Sequence, residues 1–158
     1  MVTIPLKAYR SVPAAPLAGK IVIDTTNYYP QRDEQIADLD SGLATSSELL
    51  QQHLPASKVV KAFNNIFFKH LQSLARPSGA ADRTFLPIAG DDQDARSAVT
   101  AFLDSIGYGA VDAGPLVEGW RQQPGTPVYG TPYGSFDNEA GTPADAASVR
   151  AALAIATR

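Results

Sequence analysis

Residues 58–65 read Lys-Val-Val-Lys-Ala-Phe-Asn-Asn, a short apolar run that ends in two asparagines. Apolar runs of this length, bounded by turn residues, are typical of strands buried inside a sheet. Asparagine favours turns, so the pair at 64–65 predicts that the strand ends there. A short helix is predicted next, from about Phe67 to Leu74. The stretch therefore predicts one strand–turn–helix unit of a larger alternation.

Further strand candidates lie on either side of this unit. Residues 20–24 (Lys-Ile-Val-Ile-Asp) predict a central strand, and residues 84–89 and 108–112 predict two more. Residues 1–5 (Met-Val-Thr-Ile-Pro) predict a strand that Pro5 ends, because proline has no amide hydrogen to donate. Strands that alternate with helices pair in parallel through right-handed crossovers. The chain is therefore predicted to be an α/β protein with a mainly parallel sheet and flanking helices.

Two longer helices are predicted from their capping residues. Residues 45–48 (Thr-Ser-Ser-Glu) match a capping box for a helix that runs to about His53. Asp91 and Asp92 precede the other helix, and Gly107 is expected to end it in the left-handed conformation. The apolar residues of that helix recur at helical spacing: Ala95, Val99, Phe102, Leu103 and Ile106.

Two segments show no sustained periodicity. Residues 28–44 contain Pro30 and Gly42 and predict a long exposed loop. After Trp120 the chain is rich in proline and glycine and is expected to run over the surface. A closing helix is predicted to start at residues 142–143 (Thr-Pro) and to dock on the sheet. Its buried face would carry Ala146, Val149, Leu153 and Ala156.

Composition narrows the classes of function. The net charge of −3 argues against nucleic acid as a partner, because a basic surface is needed to neutralise phosphates. The chain has no cysteine and two histidines in separate segments, so we expect no metal site. No stretch approaches the roughly 20 apolar residues that span a bilayer. These features predict a cytoplasmic protein without a membrane partner.

Three segments carry a family resemblance. They are residues 59–64 (Val-Val-Lys-Ala-Phe-Asn), 89–92 (Ala-Gly-Asp-Asp) and 107–116 (Gly-Tyr-Gly-Ala-Val-Asp-Ala-Gly-Pro-Leu). Their order and spacing resemble the NADP-binding domain of deazaflavin-dependent NADP oxidoreductases, and the oxidoreductase domain of STEAP metalloreductases is similar in the same segments. The resemblance implies that residues 1–120 form the C-terminal part of a Rossmann-type NAD(P)-binding fold. Residues 121–158 would be a tail whose closing helix packs on the same domain.

The resemblance also implies a function and a site. The cofactor would be NADP(H), and a flavin or deazaflavin would be the small-molecule redox partner in hydride transfer. Ligands of open α/β sheets bind beyond the carboxyl ends of the strands. The cofactor performs the chemistry in such enzymes, so no catalytic residue is assigned. The residues expected to border the ribose and nicotinamide are Ile4, Pro5, Thr26, Asn27, Ala62, Phe63 and Asn64.

The Gly-rich phosphate loop of this family is missing from the sequence. In the family, the segment that matches Met1 to Pro5 is preceded by a strand–helix–strand unit that carries the loop, and no G-x-G-x-x-G occurs here. The chain is therefore expected to be truncated, and its enzymatic activity stays open. One alternative is a non-catalytic remnant that forms a homodimer through its exposed first strand. Another is that the unit was removed, or is encoded upstream of Met1.

Ordinary local structure offers a second explanation for several of these residues. Asp24, Asn27 and Asn64 follow strands, where such side chains commonly bind nearby backbone amides. The main role expected for Phe63 is packing in the core, and contact with the ring of the ligand is a secondary one. Trp120 is expected to hold the tail against the domain.

The remaining polar candidates are interpreted as structural. His53 lies in the last turn of a predicted helix, where a cation is favoured by the helix dipole. His70 is expected on a short exposed helix. Asp91 and Asp92 are explained by helix capping.

Overall fold

Four strands form one sheet in the computed structural model, which describes residues 1–158. They are β1 (Ile21–Asp24), β2 (Lys58–Lys61), β3 (Phe85–Gly90) and β4 (Gly109–Asp112), in that spatial order. β1 pairs with β2 in parallel, and so does β3 with β4. The predicted α/β class with a mainly parallel sheet is therefore confirmed.

The central pairing departs from the predicted parallel arrangement. β2 and β3 are antiparallel, with Val60 opposite Gly90 and Lys61 opposite Ala89. The helix between them, α4 (Phe68–Ser73), has six residues. A helix of that length spans about 9 Å, whereas a parallel crossover must return the chain along the whole sheet. The alternation of strands and helices therefore gave a wrong prediction for the relative direction of β2 and β3.

The other helices surround this sheet. None of them is long and apolar enough to cross a membrane. The α-helices are α1 (Pro30–Asp33), α2 (Ala37–Asp40), α3 (Ser46–His53), α5 (Gln93–Ser105) and α6 (Ala146–Ala154), and 3-10 helices cover Leu6–Ser11, Ala15–Leu17, Leu116–Gln122 and Thr131–Tyr133.

The predicted caps of α3 and α5 are confirmed. The Thr45 hydroxyl accepts a hydrogen bond from the Glu48 amide, and the Glu48 carboxylate accepts one from the Thr45 amide. The Asp92 carboxylate accepts from the Ala95 amide at the start of α5, and Gly107 follows its end with a φ of 92°. Within α5, the residues Ala95, Val99 and Leu103 are buried, whereas Phe102 and Ile106 are exposed.

Two apolar clusters make up the core, and the pleat of the strands divides residues between them. Val60 belongs to the larger cluster, which also receives α5, α6 and part of the tail. Its neighbour Val59 belongs to the smaller cluster, which contains Val22 and residues of α3. Successive side chains of a strand point to opposite faces, so β2 contributes to both clusters.

Two N-terminal predictions are only partly met. Residues 1–5 form a single bridge, Val2 with Asp24, instead of a full strand, and Pro5 caps a 3-10 helix. Residues 28–44 contain α1 and α2 instead of one continuous loop. Short-range backbone hydrogen bonds, such as that from the Asp33 amide to the Tyr29 carbonyl, form the short helices of these segments.

The prediction that the tail runs over the surface is wrong for its central part. Val128 and Tyr133 are completely buried, because Asn65 donates hydrogen bonds to the Val128 carbonyl and the Tyr133 hydroxyl and holds the tail on the core. The closing helix docks on β3 and β4 as predicted. It begins later than predicted, since the Asp145 carboxylate, rather than Thr142, caps it by accepting from the Ser148 amide.

His70 is also placed differently from its prediction. Its side chain is fully buried, not exposed, and its Nε2 lies 2.7 Å from the Asn138 carbonyl oxygen. Phe67 and Phe136 contact its ring. The tail covers α4 and so removes His70 from solvent. His53 at the end of α3 lies 2.8 Å from the Val12 carbonyl oxygen. Both histidines therefore hold distant segments of the chain together.

Candidate functional site

Two neighbouring clefts open beyond the carboxyl ends of β1 and β2. They share Thr25 and Asn27 as lining residues. The first, here called the aromatic cleft, has a volume of about 280 Å³ and is lined by Thr25, Asn27, Phe63, Asn64, Asn65, Ile66, Phe67, Phe68, Tyr129 and Phe136. The second, the arginine cleft, has about 290 Å³ and is lined by Thr3, Ile4, Pro5, Thr25, Thr26, Asn27 and Arg32.

The parallel register of β1 and β2 brings the lining segments together. Asp24 lies opposite Lys61, so residues 25–27 and 62–65 leave the sheet side by side. Each cleft is close to the lower end of the roughly 300–1,000 Å³ range of small-molecule sites. A space of that size accommodates one ring system rather than a whole dinucleotide.

A carboxamide pair connects the two segments. The Asn64 Nδ2 donates to the Asn27 Oδ1 at 3.0 Å and to the Gln122 carbonyl at 2.6 Å. The Asn27 Nδ2 donates to the Asn64 carbonyl at 2.9 Å and to the Tyr129 hydroxyl at 3.4 Å. Because each amide nitrogen faces two acceptors, the orientation of both side chains is determined by the network.

Unpaired polar atoms concentrate around this pair. Seven buried side-chain nitrogen or oxygen atoms in the protein have no hydrogen-bond partner, and five of them belong to Thr26, Asn64, Asn65 and Gln122. Buried polar atoms without partners are rare in native proteins, because each one loses its hydration without compensation. The Asn64 Oδ1 is such an atom on a residue that lines the aromatic cleft. A donor that reached this oxygen would supply the hydrogen bond that it lacks.

Phe63 carries backbone strain at the edge of the cleft. Its φ is 64°, in the left-handed region that residues other than glycine seldom adopt. Such a conformation costs about 1–3 kcal/mol and is concentrated at functional sites. Its ring packs edge-on against Phe102, with centroids 6.3 Å apart. The strained turn leaves the ring half-buried on the cleft wall.

Aromatic rings form the opposite wall. Phe67 packs against Phe68 and Phe136, with ring centroids 4.7 and 5.2 Å apart. Phe68 and Phe136 are 62% and 53% exposed, which is unusual for adjacent large apolar residues. They offer a flat, partly dry surface to a ring-shaped ligand.

Tyr129 closes the cleft on the side of the tail. Its hydroxyl shares a short hydrogen bond with that of Tyr29. Burial, and then this hydrogen bond, raise the pKa of Tyr129 well above its ordinary value. Tyr129 is therefore a neutral hydrogen-bonding group, not a base, at physiological pH.

A buried ion pair supports the site from below. The Lys61 Nζ lies 3.8 Å from the Asp24 Oδ2, and both side chains are completely buried. The Ser47 hydroxyl donates to Asp24 at 2.6 Å, and Lys61 donates to the Thr26 carbonyl at 3.1 Å. Burial lowers the pKa of Lys61, and the charge of Asp24 opposes that shift. The pair lines neither cleft, so it acts as a scaffold for residues 25–27.

The structure separates the predicted site residues into three groups. Asn27, Phe63 and Asn64 line the aromatic cleft, and Asn27 also lines the arginine cleft. Ala62 is fully buried in the larger core cluster and lines neither. Ile4, Pro5 and Thr26 line the arginine cleft.

Sequence reasoning missed Arg32, Tyr129 and Phe136. They lie in irregular segments, where no periodicity points inward, and Tyr129 follows its partner Tyr29 by 100 residues. Their aromatic and cationic character was the only available signal. No group of three or more His, Asp or Glu side chains is arranged to hold a metal ion.

Curated proteins related to the chain include an oxidoreductase. No family model matches the sequence. The metalloreductase STEAP3 of Rattus norvegicus is 35% identical over 100 residues, which cover 63% of this chain and 18% of that protein. The protein YjhV of Escherichia coli K12 is 36% identical over 53 residues, covering 34% of this chain and 39% of that protein.

Two solved structures share the fold. The hypothetical protein SMa0349 of Sinorhizobium meliloti superposes with a TM-score of 0.66 at 29% identity, over 80% of this chain and 62% of that one. A protein of Arthrobacter sp. FB24, assigned as an F420-dependent NADP reductase, gives 0.51 at 25% identity, over 68% and 48%. The chain spans less than two thirds of each of these four proteins. With respect to fold, this chain is an NADP oxidoreductase-like α/β protein of the Rossmann type.

Proposed function

We propose that this protein transfers hydride between NADP(H) and a flavin or deazaflavin, and that the aromatic cleft receives the nicotinamide ring. The main support for the proposal is that asparagine carboxamides and exposed phenylalanine rings line the same cleft, at the carboxyl ends of β1 and β2. Ligands of open α/β sheets bind at that edge. The STEAP3 and F420-dependent relatives support a redox role.

The residues present fit the nicotinamide end of the cofactor. Nicotinamide carries a primary carboxamide whose NH₂ group needs an acceptor, and the buried Asn64 Oδ1 lacks a donor. Phe68 and Phe136 offer their rings to a planar ligand. Residues 1–158 contain no Gly-rich loop for the pyrophosphate. The fit therefore covers the nicotinamide ring only.

Each residue of the cleft would contribute to orientation or to the exclusion of water. When bound, the cofactor supplies the hydride. The Asn27–Asn64 pair would hold the carboxamide in one orientation, because the network leaves neither amide free to rotate. Phe67 and its aromatic neighbours would exclude water from the reacting faces. Tyr129 would stay neutral and donate or accept a hydrogen bond without transferring a proton.

Calorimetric titration of the full chain with NADPH tests the proposal. We expect a dissociation constant in the micromolar range and slow oxidation of NADPH when FMN or coenzyme F420 is added. Phe136→Ser should weaken NADPH binding about three- to tenfold, as expected for the loss of one aromatic contact. Leu43→Ser is the matched control, because Leu43 is 81% exposed and lines neither cleft.

Light scattering on the same sample tests the competing function. Absence of NADPH binding up to millimolar concentration would contradict the oxidoreductase proposal for this chain. If the protein were then also a stable dimer, the non-catalytic, dimerising alternative would be favoured.

A further inference from the structure

Arg32 is held in one orientation beside the aromatic cleft. Its Nε donates to the Asp33 Oδ1 at 3.1 Å and its Nη2 to the Oδ2 at 2.8 Å, which is the two-point geometry of a guanidinium–carboxylate pair. The Nη2 also donates to the Asn27 carbonyl at 2.7 Å. The guanidinium carbon lies 4.9 Å from the centre of the Tyr29 ring. Three anchors therefore fix one side chain.

One edge of that guanidinium is left without a partner. The Nη1 donates to no atom of the chain, although the side chain is 43% exposed and lines the arginine cleft. The Nη1 is therefore free to donate to an acceptor that enters the cleft.

The carboxylate behind Arg32 is already satisfied by other donors. Asp33 is completely buried and also accepts from the Tyr29 amide at 3.0 Å and the Lys7 amide at 3.3 Å. Burial opposes ionisation, but the hydrogen bonds of Arg32 and the two amides outweigh it, so the pKa of Asp33 lies below its ordinary value. The two amides and Arg32 together satisfy the Asp33 carboxylate, so Asp33 needs no donor from the Arg32 Nη1.

A second polar group without a partner lines the same cleft. Thr26 is buried, and its Oγ1 has no hydrogen-bond partner. The nearest carboxylate on its own segment, Asp24, is paired with Lys61 and accepts from the Thr26 amide. A hydroxyl and a guanidinium edge are the donors that proteins commonly place on phosphate oxygens.

We propose that the arginine cleft is a phosphoryl-binding site in which Arg32 and Thr26 donate to the phosphate oxygens. The inference rests on the proposed function for the origin of its ligand. The phosphoryl group belongs either to the dinucleotide or to the phosphorylated side chain of a flavin nucleotide. Either source is compatible with a cleft that shares Thr25 and Asn27 with the aromatic cleft.

Calorimetric titrations of the full chain with inorganic pyrophosphate, NADPH, FMN and riboflavin test this site. Arg32→Gln should weaken pyrophosphate binding about tenfold or more, since a hydrogen bond to a charged group contributes about 1.5–3 kcal/mol. Arg32→Lys keeps the positive charge but lacks the paired guanidinium donors, so its affinity for pyrophosphate should lie between those of the wild type and Arg32→Gln. Thr26→Val keeps the shape without the hydroxyl and should weaken binding by a smaller factor.

Arg10→Gln is the matched control, because Arg10 is exposed, also lies over a tyrosine ring, and lines a different cleft. Its affinity for all four ligands should equal that of the wild type. Circular dichroism of each variant shows whether the fold persists, and Thr26→Val tests the site if Arg32→Gln disturbs the loop.

The ligand series separates the two sources. If the phosphate is that of the flavin nucleotide, Arg32→Gln lowers the affinity for FMN to that for riboflavin and leaves NADPH unchanged. If it is that of the dinucleotide, NADPH binding weakens and FMN binding does not. Arg32-dependent binding of pyrophosphate without any binding of NADPH or FMN would support the anion site while contradicting the proposed function. Equal affinities of wild type and Arg32→Gln for pyrophosphate, NADPH and FMN would overturn the inference.

Discussion

Two strands of this sheet end in the same local motif but in opposite environments. At the end of β1 the Asp24 carboxylate accepts from the Thr26 amide at 2.8 Å, and at the end of β4 the Asp112 carboxylate accepts from the Gly114 amide at 2.8 Å. Each aspartate also faces a cation, namely Lys61 or Arg96. Asp24 and Lys61 are fully buried, whereas the Asp112 side chain is 49% exposed.

The difference shows that burial, not the turn motif, decides what such an aspartate does. Near the exposed end of β4, water solvates the charges and the ion pair contributes little. At the end of β1, no water reaches Asp24 and Lys61, so each of these charges depends on the other and on nearby hydrogen bonds for its stabilisation. The pair also holds residues 25–27 beside the clefts, because Lys61 donates to the Thr26 carbonyl. The candidate site therefore lies where the sheet buries polar groups, while the apolar packing around β3, β4 and α5 supplies stability.

Replacing each aspartate by alanine should give the largest difference in stability between the ends of β1 and β4. Asp24→Ala leaves the buried charge of Lys61 without a counter-charge and should lower the free energy of unfolding by about 3–5 kcal/mol. Asp112→Ala should lower it by about 1 kcal/mol or less. Urea unfolding measures both. The double variant Asp24→Leu/Lys61→Met should recover much of the loss, and equal losses for the two single variants would contradict the comparison.

Leu103→Ala tests the apolar side of the sheet. Leu103 is completely buried in α5 within the larger core cluster. The truncation should cost about 2–5 kcal/mol, since it removes buried methyl groups and leaves a cavity. Leu43→Ala, at an 81% exposed position, should change stability by about 0.5 kcal/mol or less. A similar loss for both in the same urea titration would show that this core does not supply the stability assigned to it.

Alkaline pH tests the burial of three tyrosine side chains, Tyr108, Tyr129 and Tyr133. Burial raises the pKa of Tyr108 to about 12 from an ordinary value of 10.0, and it also raises those of Tyr129 and Tyr133. The folded state therefore holds these protons more tightly than the unfolded chain. The stabilisation from Tyr108 is complete below pH 10.0 and is lost as the pH rises through about 12, by about 2–3 kcal/mol. The contributions of Tyr129 and Tyr133 also decrease as the pH rises above 10.0.

Phenolate absorbance during a pH titration measures this effect. Three tyrosines should ionise only with unfolding, which circular dichroism follows on the same sample. Ionisation of all six tyrosines near pH 10.0 with an intact fold would contradict the burial of these side chains.

Thr45→Ala should have the smallest effect. It removes the side-chain half of the capping box of α3, whose first residues Ser46 and Ser47 receive hydrogen bonds from Lys61. A lost cap costs about 0.5–2 kcal/mol. Thr45→Ser is the matched control, because its hydroxyl can still accept from the Glu48 amide. If Thr45→Ala unfolded the protein to the same extent as Asp24→Ala, the cap rather than the ion pair would be the main support of this side.

Elements whose signals are local were predictable. The cap of α3 at Thr45 and the cap of α5 at Asp92 follow from side chains within three residues of the amides that they bind. The convergence of Asn27 and Asn64 was also accessible, because the carboxyl ends of neighbouring parallel strands meet at one edge. The burial of His70 was not, since its cover comes from Asn138 in the tail.

The amino-acid sequence by itself determined the alternation of strands and helices, the caps of α3 and α5 and the asparagines after β2, because these signals depend on residues close together in the chain. Only the tertiary structure decided that β3 runs antiparallel to β2, that the tail enters the core at Tyr133, and that Arg32 and Tyr129 border the clefts. Those outcomes depend on contacts between residues far apart in the chain. Such contacts form only where the summed burial and hydrogen bonding exceed the entropy lost on closing long loops.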